Sequence, residues 1–152
     1  HEQGIVGCGL SHKKLLSEIK PNTLILEDDI ESTGVATNFL LNIPEEADAI
    51  YLGISNHGYI NQHVGVAGTV LAAQYDENYK RVFNMCSAHA ILYLSQGFID
   101  AAHDVAAKCL EQGIACDLGL AALHRYFTIL TPNDPYFYQT PQEEFTNFSL
   151  QA

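Results

Sequence analysis

A short apolar run near the beginning of the sequence leads directly into three consecutive carboxylates. Thr23–Leu26 is followed at once by Glu27, Asp28 and Asp29. An apolar run without alternation predicts a strand that is buried on both faces, as in the centre of a parallel sheet. The acidic triplet then falls at the carboxyl end of that strand, where open α/β sheets place their ligand crevice.

The acidic triplet has two interpretations, and the residues alone leave both open. Adjacent carboxylates repel one another, and a cation or an external hydrogen-bond donor commonly stabilises such a group. The alternative is a strand that ends in an acidic, solvated turn without any ligand. We therefore expect either a metal or ligand site at residues 27–29, or ordinary turn chemistry there.

Composition indicates one globular domain over residues 1–152, with 47% hydrophobic and 16% charged residues. The sequence has seven Lys and Arg residues and 18 Asp and Glu residues, which gives a formal net charge of -11. This balance argues against nucleic acid or an anionic membrane as a partner, since both require a basic surface. It also disfavours a phosphate ester as ligand, unless a divalent cation bridges it to the protein.

The cysteines predict no disulfide framework and no zinc finger. None of the four forms a C-x-x-C pair or a recognised zinc-ligand spacing. We expect reduced, partly buried thiols in a cytoplasmic protein, with Cys8 as a small core residue. No apolar segment is long enough to span a bilayer.

Apolar periodicity predicts an α/β domain with a mostly parallel core. The predicted helices span residues 4–19, a short segment after Ser32 and Thr33, residues 96–112, and about 117–126. The predicted strands are 23–26, 49–52, 69–71, 82–86, 90–94 and 128–130. Residues 55–68 read as a long irregular loop, and the tail from Pro132 reads as ordered coil. The clearest helix has Ser95 as its N-cap and Gly113 as its C′ residue.

Two motifs carry a resemblance to a known family. Residues 7–12 (Gly-Cys-Gly-Leu-Ser-His) and 24–29 (Leu-Ile-Leu-Glu-Asp-Asp) are together similar to the signature of the family 25 glycosyltransferases. That group includes lipopolysaccharide-biosynthesis sugar transferases and collagen galactosyltransferases. Weaker matches follow in the same order along the chain, at residues 48–53, at 90–97, at Asp117, and at Pro135 with Gln139.

The resemblance implies a GT-A-like fold and a glycosyl-transfer reaction. The reaction would transfer a sugar from a nucleotide-diphosphate donor to a hydroxyl of a glycan or protein acceptor. An acidic motif after a central strand would hold Mn²⁺ or Mg²⁺ against the diphosphate. Carboxylates are suitable ligands for these hard cations, and strand alternation places Glu27 and Asp29 on the same side. Glu27 and Asp29 are therefore the expected metal ligands.

The same resemblance suggests roles for four further residues. Ser11, His12 and Asp28 would contact the donor, and Asp117 would act as general base or bind the acceptor. The alternatives are a partly exposed helix histidine at His12 and an N-cap at Asp117. Additional candidates are two loop histidines for the metal shell and three cations for the phosphates: His57, His63, Lys13, Lys14 and Arg81.

The chain departs from the family pattern at its beginning. Family members place a strand and a helix before the first motif, whereas three residues precede Gly4 here. We therefore expect an N-terminally truncated transferase domain, acting in the cytoplasm of a bacterium or a virus-infected cell. The alternative function is a non-catalytic structural or recognition module on a degenerate transferase fold, such as a virion-associated protein.

Overall fold

A computed structural model describes residues 2–34, 42–55, 58 and 70–139. Its helices are α1 (Glu2–Glu18), α2 (Gln96–Gln112) and α3 (Cys116–Leu123). Its strands are β1 (Thr23–Leu26), β2 (Ile30–Ser32), β3 (Ala49–Tyr51), β4 (Leu71–Gln74), β5 (Tyr79–Asn84), β6 (Ala90–Tyr93), β7 (Ile129–Pro132) and β8 (Phe137–Gln139). Across these residues, no helix is long and apolar enough to cross a membrane.

The main sheet has six strands in the order β1-β6-β3-β7-β5-β4, and it is mostly antiparallel. Of its five pairings, only β3 with β7 is parallel. The expectation of a mostly parallel sheet was therefore wrong, although the mixed α/β class is confirmed. A parallel pair needs a crossover of a dozen or more residues, and the four-residue connection between β4 and β5 allows only a hairpin. In the turn of this hairpin, the Asp76 carboxylate accepts hydrogen bonds from the backbone N–H groups of Asn78 and Tyr79.

β1 lies at the edge of this sheet, not at its centre. In the described part of the chain it pairs with β6 alone, and that pairing is antiparallel. Ile25 is 7% exposed, but Leu24 is 41% and Leu26 is 45% exposed. The prediction of a central strand between parallel neighbours was therefore wrong. An apolar run predicts that a strand forms, but the exposure of its side chains depends on which strands lie beside it. The order of strands is a property of the whole sheet.

The core is divided between the two faces of the sheet. On the helix side, Ala49 and Tyr51 of β3 pack with Phe98 of α2 and Leu120 of α3. On the opposite side, Ile50 packs in a separate cluster with apolar residues of neighbouring strands. This division follows from the strict alternation of side chains along a strand. The three helices therefore cover one face of the sheet, and α1 packs against α2 and α3.

The caps of α2 confirm the sequence prediction. The hydroxyl of Ser95 accepts from the backbone N–H of Phe98, and Gly113 adopts a left-handed conformation with φ of 67°. This conformation favours glycine, which has no Cβ to clash with the preceding carbonyl. α1 and α3 also agree with the predicted helices to within a few residues.

A second, two-stranded sheet was not predicted. β2 pairs with β8 in an antiparallel register that places Ile30 opposite Gln139. The tail after Pro132 is therefore strand in part, not coil throughout. The helix predicted after Thr33 and the loop predicted at 55–68 lie mostly outside the described residues. The β2–β8 pairing brings the tail against the acidic turn that follows β1.

Candidate metal and ligand site at the end of the first strand

α1 and the end of β1 together form a cluster of three possible metal ligands. Nε2 of His12 lies 3.0 Å from Oε1 of Glu27, and the Cys8 thiol lies 3.8 Å from the same oxygen. Cys8 and His12 are four residues apart on α1, so they lie on the same face of the helix. One ligand atom from each residue lies within 4.8 Å of the other two. Cys8 is exposed, so its predicted place in the core was wrong.

The contact between His12 and Glu27 changes the pKa of both groups. Burial by itself would lower the pKa of His12, but Cys8 and Glu27 beside the ring raise it to about 9. Burial would raise the pKa of Glu27, but the hydrogen bond and the charge of His12 lower it below its usual value. In the absence of a metal, the two side chains therefore form an ion pair at neutral pH.

Asp29 belongs to the same turn but has different partners. Nε2 of Gln139 donates to its Oδ2 over 2.7 Å. Its other oxygen, Oδ1, is buried and accepts no hydrogen bond from the residues that the structure describes. Asp28, between the two, is exposed. Gln139 therefore holds one oxygen of Asp29, while the other is buried without a hydrogen-bond partner among the described residues.

His89 lies behind the acidic turn and was not identified from the sequence. Its backbone carbonyl accepts from the N–H of Glu27, and its Nδ1 lies 3.1 Å from the Ser87 hydroxyl. Burial lowers the pKa of His89, although the charges of Glu27 and Asp29 oppose this effect. The ring is therefore neutral at pH 7, and it supports the turn without neutralising its charge.

Asp117 lies in the first turn of α3, where a carboxylate interacts favourably with the helix dipole. The N-cap is Ala115, so Asp117 is not the capping residue. Burial, with further effects from other cysteines and from Asp117 and Glu27, raises the pKa of Cys116 to about 12.

The remaining predicted residues lie in several places. Ser11, Lys13 and Lys14 are exposed on α1, beside the buried His12. Arg81 donates from Nη2 to the backbone carbonyl of Phe127 over 3.3 Å, and its strand is separated from β1 by three others. Two further candidates lie outside the described residues: His57 and His63.

The sequence contains one signal for the cluster of Cys8, His12 and Glu27. A cysteine and a histidine four residues apart on a predicted helix present two ligands on one face, and Cys8 and His12 have this spacing. The place of His89 had no comparable signal, since it depends on the pairing of β1 with β6. Gln139 appeared only as a weak family match, and its contact with Asp29 comes from the β2–β8 sheet.

Searches for related proteins found no family model, no curated protein and no solved structure that matches this chain.

Proposed function

We propose that the chain is a metal-dependent glycosyltransferase domain of GT-A type, acting on a nucleotide-diphosphate sugar and a hydroxyl acceptor. The observation that carries this proposal is Oδ1 of Asp29, which is buried and accepts no hydrogen bond from the described part of the chain. A buried carboxylate oxygen without a hydrogen-bond partner is costly, and a bound cation removes that cost. The motif resemblance at residues 7–12 and 24–29 supports the same assignment.

Carboxylate oxygens, which the turn supplies, are the ligand type that hard divalent cations prefer. Asp29 would contribute Oδ1, and Glu27 would contribute a carboxylate oxygen after its side chain rotates, since its Oε1 now faces His12. Both residues follow the end of β1, so the predicted alternation along a strand does not align them. When bound, Mn²⁺ or Mg²⁺ would neutralise charge that develops on the leaving diphosphate. Asp28 is exposed next to this pair and would face the donor, with Ser11 and His12 as further candidates for donor contacts. Asp117 would serve as the base for the acceptor hydroxyl.

We expect Mn²⁺ to raise the melting temperature of the wild-type chain, and Asp29→Asn to remove this effect. An ion that binds only the native state stabilises it by mass action, by about 1.4 kcal/mol at ten times its Kd. For a domain of this size, that corresponds to a shift of about 3–6 °C. Thermal melts with and without millimolar Mn²⁺ measure the shift directly.

The matched control is Asp104→Asn, which makes the same change at an exposed carboxylate on α2. This variant should retain the full Mn²⁺ shift. Release of nucleotide diphosphate from a panel of nucleotide sugars tests the reaction itself, and Asp29→Asn should abolish the release. Equal melting curves with and without Mn²⁺, together with no release from any donor, would contradict the proposal.

A second candidate function, a recognition module, is favoured by the edge position of β1. An exposed edge strand can pair with an extended segment of another protein, and Leu24 and Leu26 present apolar side chains beside that edge. The donor-release assay separates the two functions, because a recognition module releases no nucleotide diphosphate under any condition.

A further inference from the structure

We propose that Cys8, His12 and Glu27 form a binding site for Zn²⁺. This inference does not rest on the proposed transferase activity, since it concerns the ligand chemistry of α1 and β1 alone. It also differs from the expected Mn²⁺ or Mg²⁺ site, with which it shares one residue, Glu27.

The first argument is geometric. Around a tetrahedral zinc ion, sulfur, nitrogen and oxygen ligands lie about 3.3–3.8 Å from one another, given bond lengths of about 2.0–2.3 Å. Oε1 of Glu27 lies 3.8 Å from the Cys8 sulfur and 3.0 Å from Nε2 of His12. Since all three ligand atoms lie within 4.8 Å of one another, small side-chain rotations suffice to surround an ion.

The second argument is the type of ligand. Thiolate and imidazole ligands select Zn²⁺ over Mg²⁺ and Mn²⁺, which prefer sites made of oxygen atoms. One thiolate and one carboxylate also balance the two charges of the ion, so the loaded site is neutral. In a chain with a net charge of -11, a dication at this position relieves repulsion within the acidic turn.

The third argument is the condition of His12. The residue is only 3% exposed, yet its Nδ1 has no hydrogen-bond partner within the residues described. His89 and His124 share that feature, so it is the position of Nε2 that distinguishes His12. This nitrogen already faces Glu27, and this arrangement brings the ring and the carboxylate together in advance of metal binding.

The cluster supplies three protein ligands, which leaves one tetrahedral position for water or another small ligand. Three protein ligands are typical of catalytic or exchangeable zinc sites, whereas structural sites commonly have four. Because Cys8 is exposed, the open position would face solvent. We therefore infer an accessible zinc site, not a buried structural one.

The test uses the purified full chain after treatment with a chelator. Co²⁺ serves as a spectroscopic substitute for Zn²⁺, and thiolate coordination should give a near-ultraviolet charge-transfer band that saturates at one equivalent. Zn²⁺ should displace Co²⁺ and remove the band. Zn²⁺ should also slow alkylation of Cys8, the single exposed cysteine among the four.

Two variants decide the assignment. Cys8→Ser changes an exposed residue, and it should abolish the band and weaken Zn²⁺ binding by ~100-fold or more. Asp29→Asn is the matched control, since it should retain the zinc signature while it loses the Mn²⁺ shift. His12→Gln should also lose the band, with circular dichroism as a check of its fold.

Three outcomes would overturn the proposal. They are a Co²⁺ spectrum without a thiolate band, equal Zn²⁺ affinity in Cys8→Ser and wild type, and an alkylation rate of Cys8 that Zn²⁺ does not change. Failure of these tests leaves the Mn²⁺ and donor-release results unaffected. Conversely, zinc binding without donor release would contradict the transferase and retain the metal site.

Discussion

Gly53→Ala is expected to destabilise the protein by about 2–3 kcal/mol, because the new methyl group would overlap the ring of His89. A Cβ atom at residue 53 would lie 2.0 Å from Nε2, 2.6 Å from Cδ2 and 3.0 Å from Cε1 of that ring. The ring has little room to move, since it is 3% exposed and its Nδ1 contacts the Ser87 hydroxyl. Urea denaturation of the two proteins measures the difference in the free energy of unfolding.

The matched control is Gly7→Ala on α1, where nothing lies within 4 Å of the added Cβ. Because alanine favours a helix over glycine, this variant should be more stable than wild type by about 0.5–1 kcal/mol. His89→Ala in the Gly53→Ala background removes the overlapping ring. The double variant should therefore be more stable than the sum of the two single changes predicts. Equal stability of Gly53→Ala and wild type would contradict the proposed steric role.

The role of Gly53 links the core to the candidate site. The strand predicted over residues 49–52 ends directly before this glycine, and β3 is observed just ahead of it. The sequence did not indicate that the absence of a side chain at residue 53 makes room for His89. The backbone carbonyl of His89 accepts a hydrogen bond from the N–H of Glu27. Gly53 therefore makes room for a histidine whose carbonyl accepts from the backbone of Glu27, and only the β1–β6 pairing reveals the connection.

The parts of the fold that depend on local chemistry could be predicted from the sequence. α2 has a capping serine, an apolar stripe and a terminal glycine, and all three signals act within a few residues of the element. The hairpin turn at Asp76 is similarly local, because its side chain bonds the backbone two and three residues ahead. Such features need no knowledge of the rest of the chain.

The order and direction of the strands could not be predicted in the same way. Thr23–Leu26 was correctly identified as a strand, but its neighbour β6 lies more than sixty residues later and runs in the opposite direction. The same limit applies to the site. Glu27 was expected beside Asp29, yet its carboxylate turns towards His12, because α1 packs over this end of the sheet. Which ligand a flexible carboxylate meets depends on tertiary packing, which a one-dimensional pattern does not contain.

His124 is expected to make the stability of the protein fall steeply as the pH decreases from 6.5 towards 4. The residue is fully buried at the end of α3, with Nε2 2.9 Å from the Tyr51 hydroxyl and Nδ1 without a partner among the residues described. Burial lowers the pKa of His124 to about 4, against 6.5 in an exposed histidine. Between these values the unfolded chain binds the proton and the folded chain does not. Acid therefore favours unfolding.

The size of this effect follows from the difference in pKa. A pKa lowered from 6.5 to about 4 corresponds to about 3 kcal/mol across the whole window, of which about 2 kcal/mol is lost by pH 5. His12 does not mask the loss. Because its pKa is raised to about 9, its contribution is complete below pH 6.5 and is lost only at alkaline pH. His89, whose pKa is also lowered by burial, adds a loss of the same sign.

The variant His124→Gln separates the contribution of this one residue from the others. Its amide can still bond the Tyr51 hydroxyl, but it takes up no proton, so its free energy of unfolding should fall less with acid than that of wild type. Urea denaturation at pH 7 and pH 5 should show the difference in free energy of unfolding between the two proteins change by about 2 kcal/mol.

Tyr51→Phe provides the control, since it removes the hydrogen bond and leaves the imidazole buried. That variant should lose stability at both pH values and keep the wild-type dependence on pH. If wild type and His124→Gln instead lose equal stability between pH 7 and pH 5, the burial of a neutral imidazole at this position is not what makes the fold sensitive to acid.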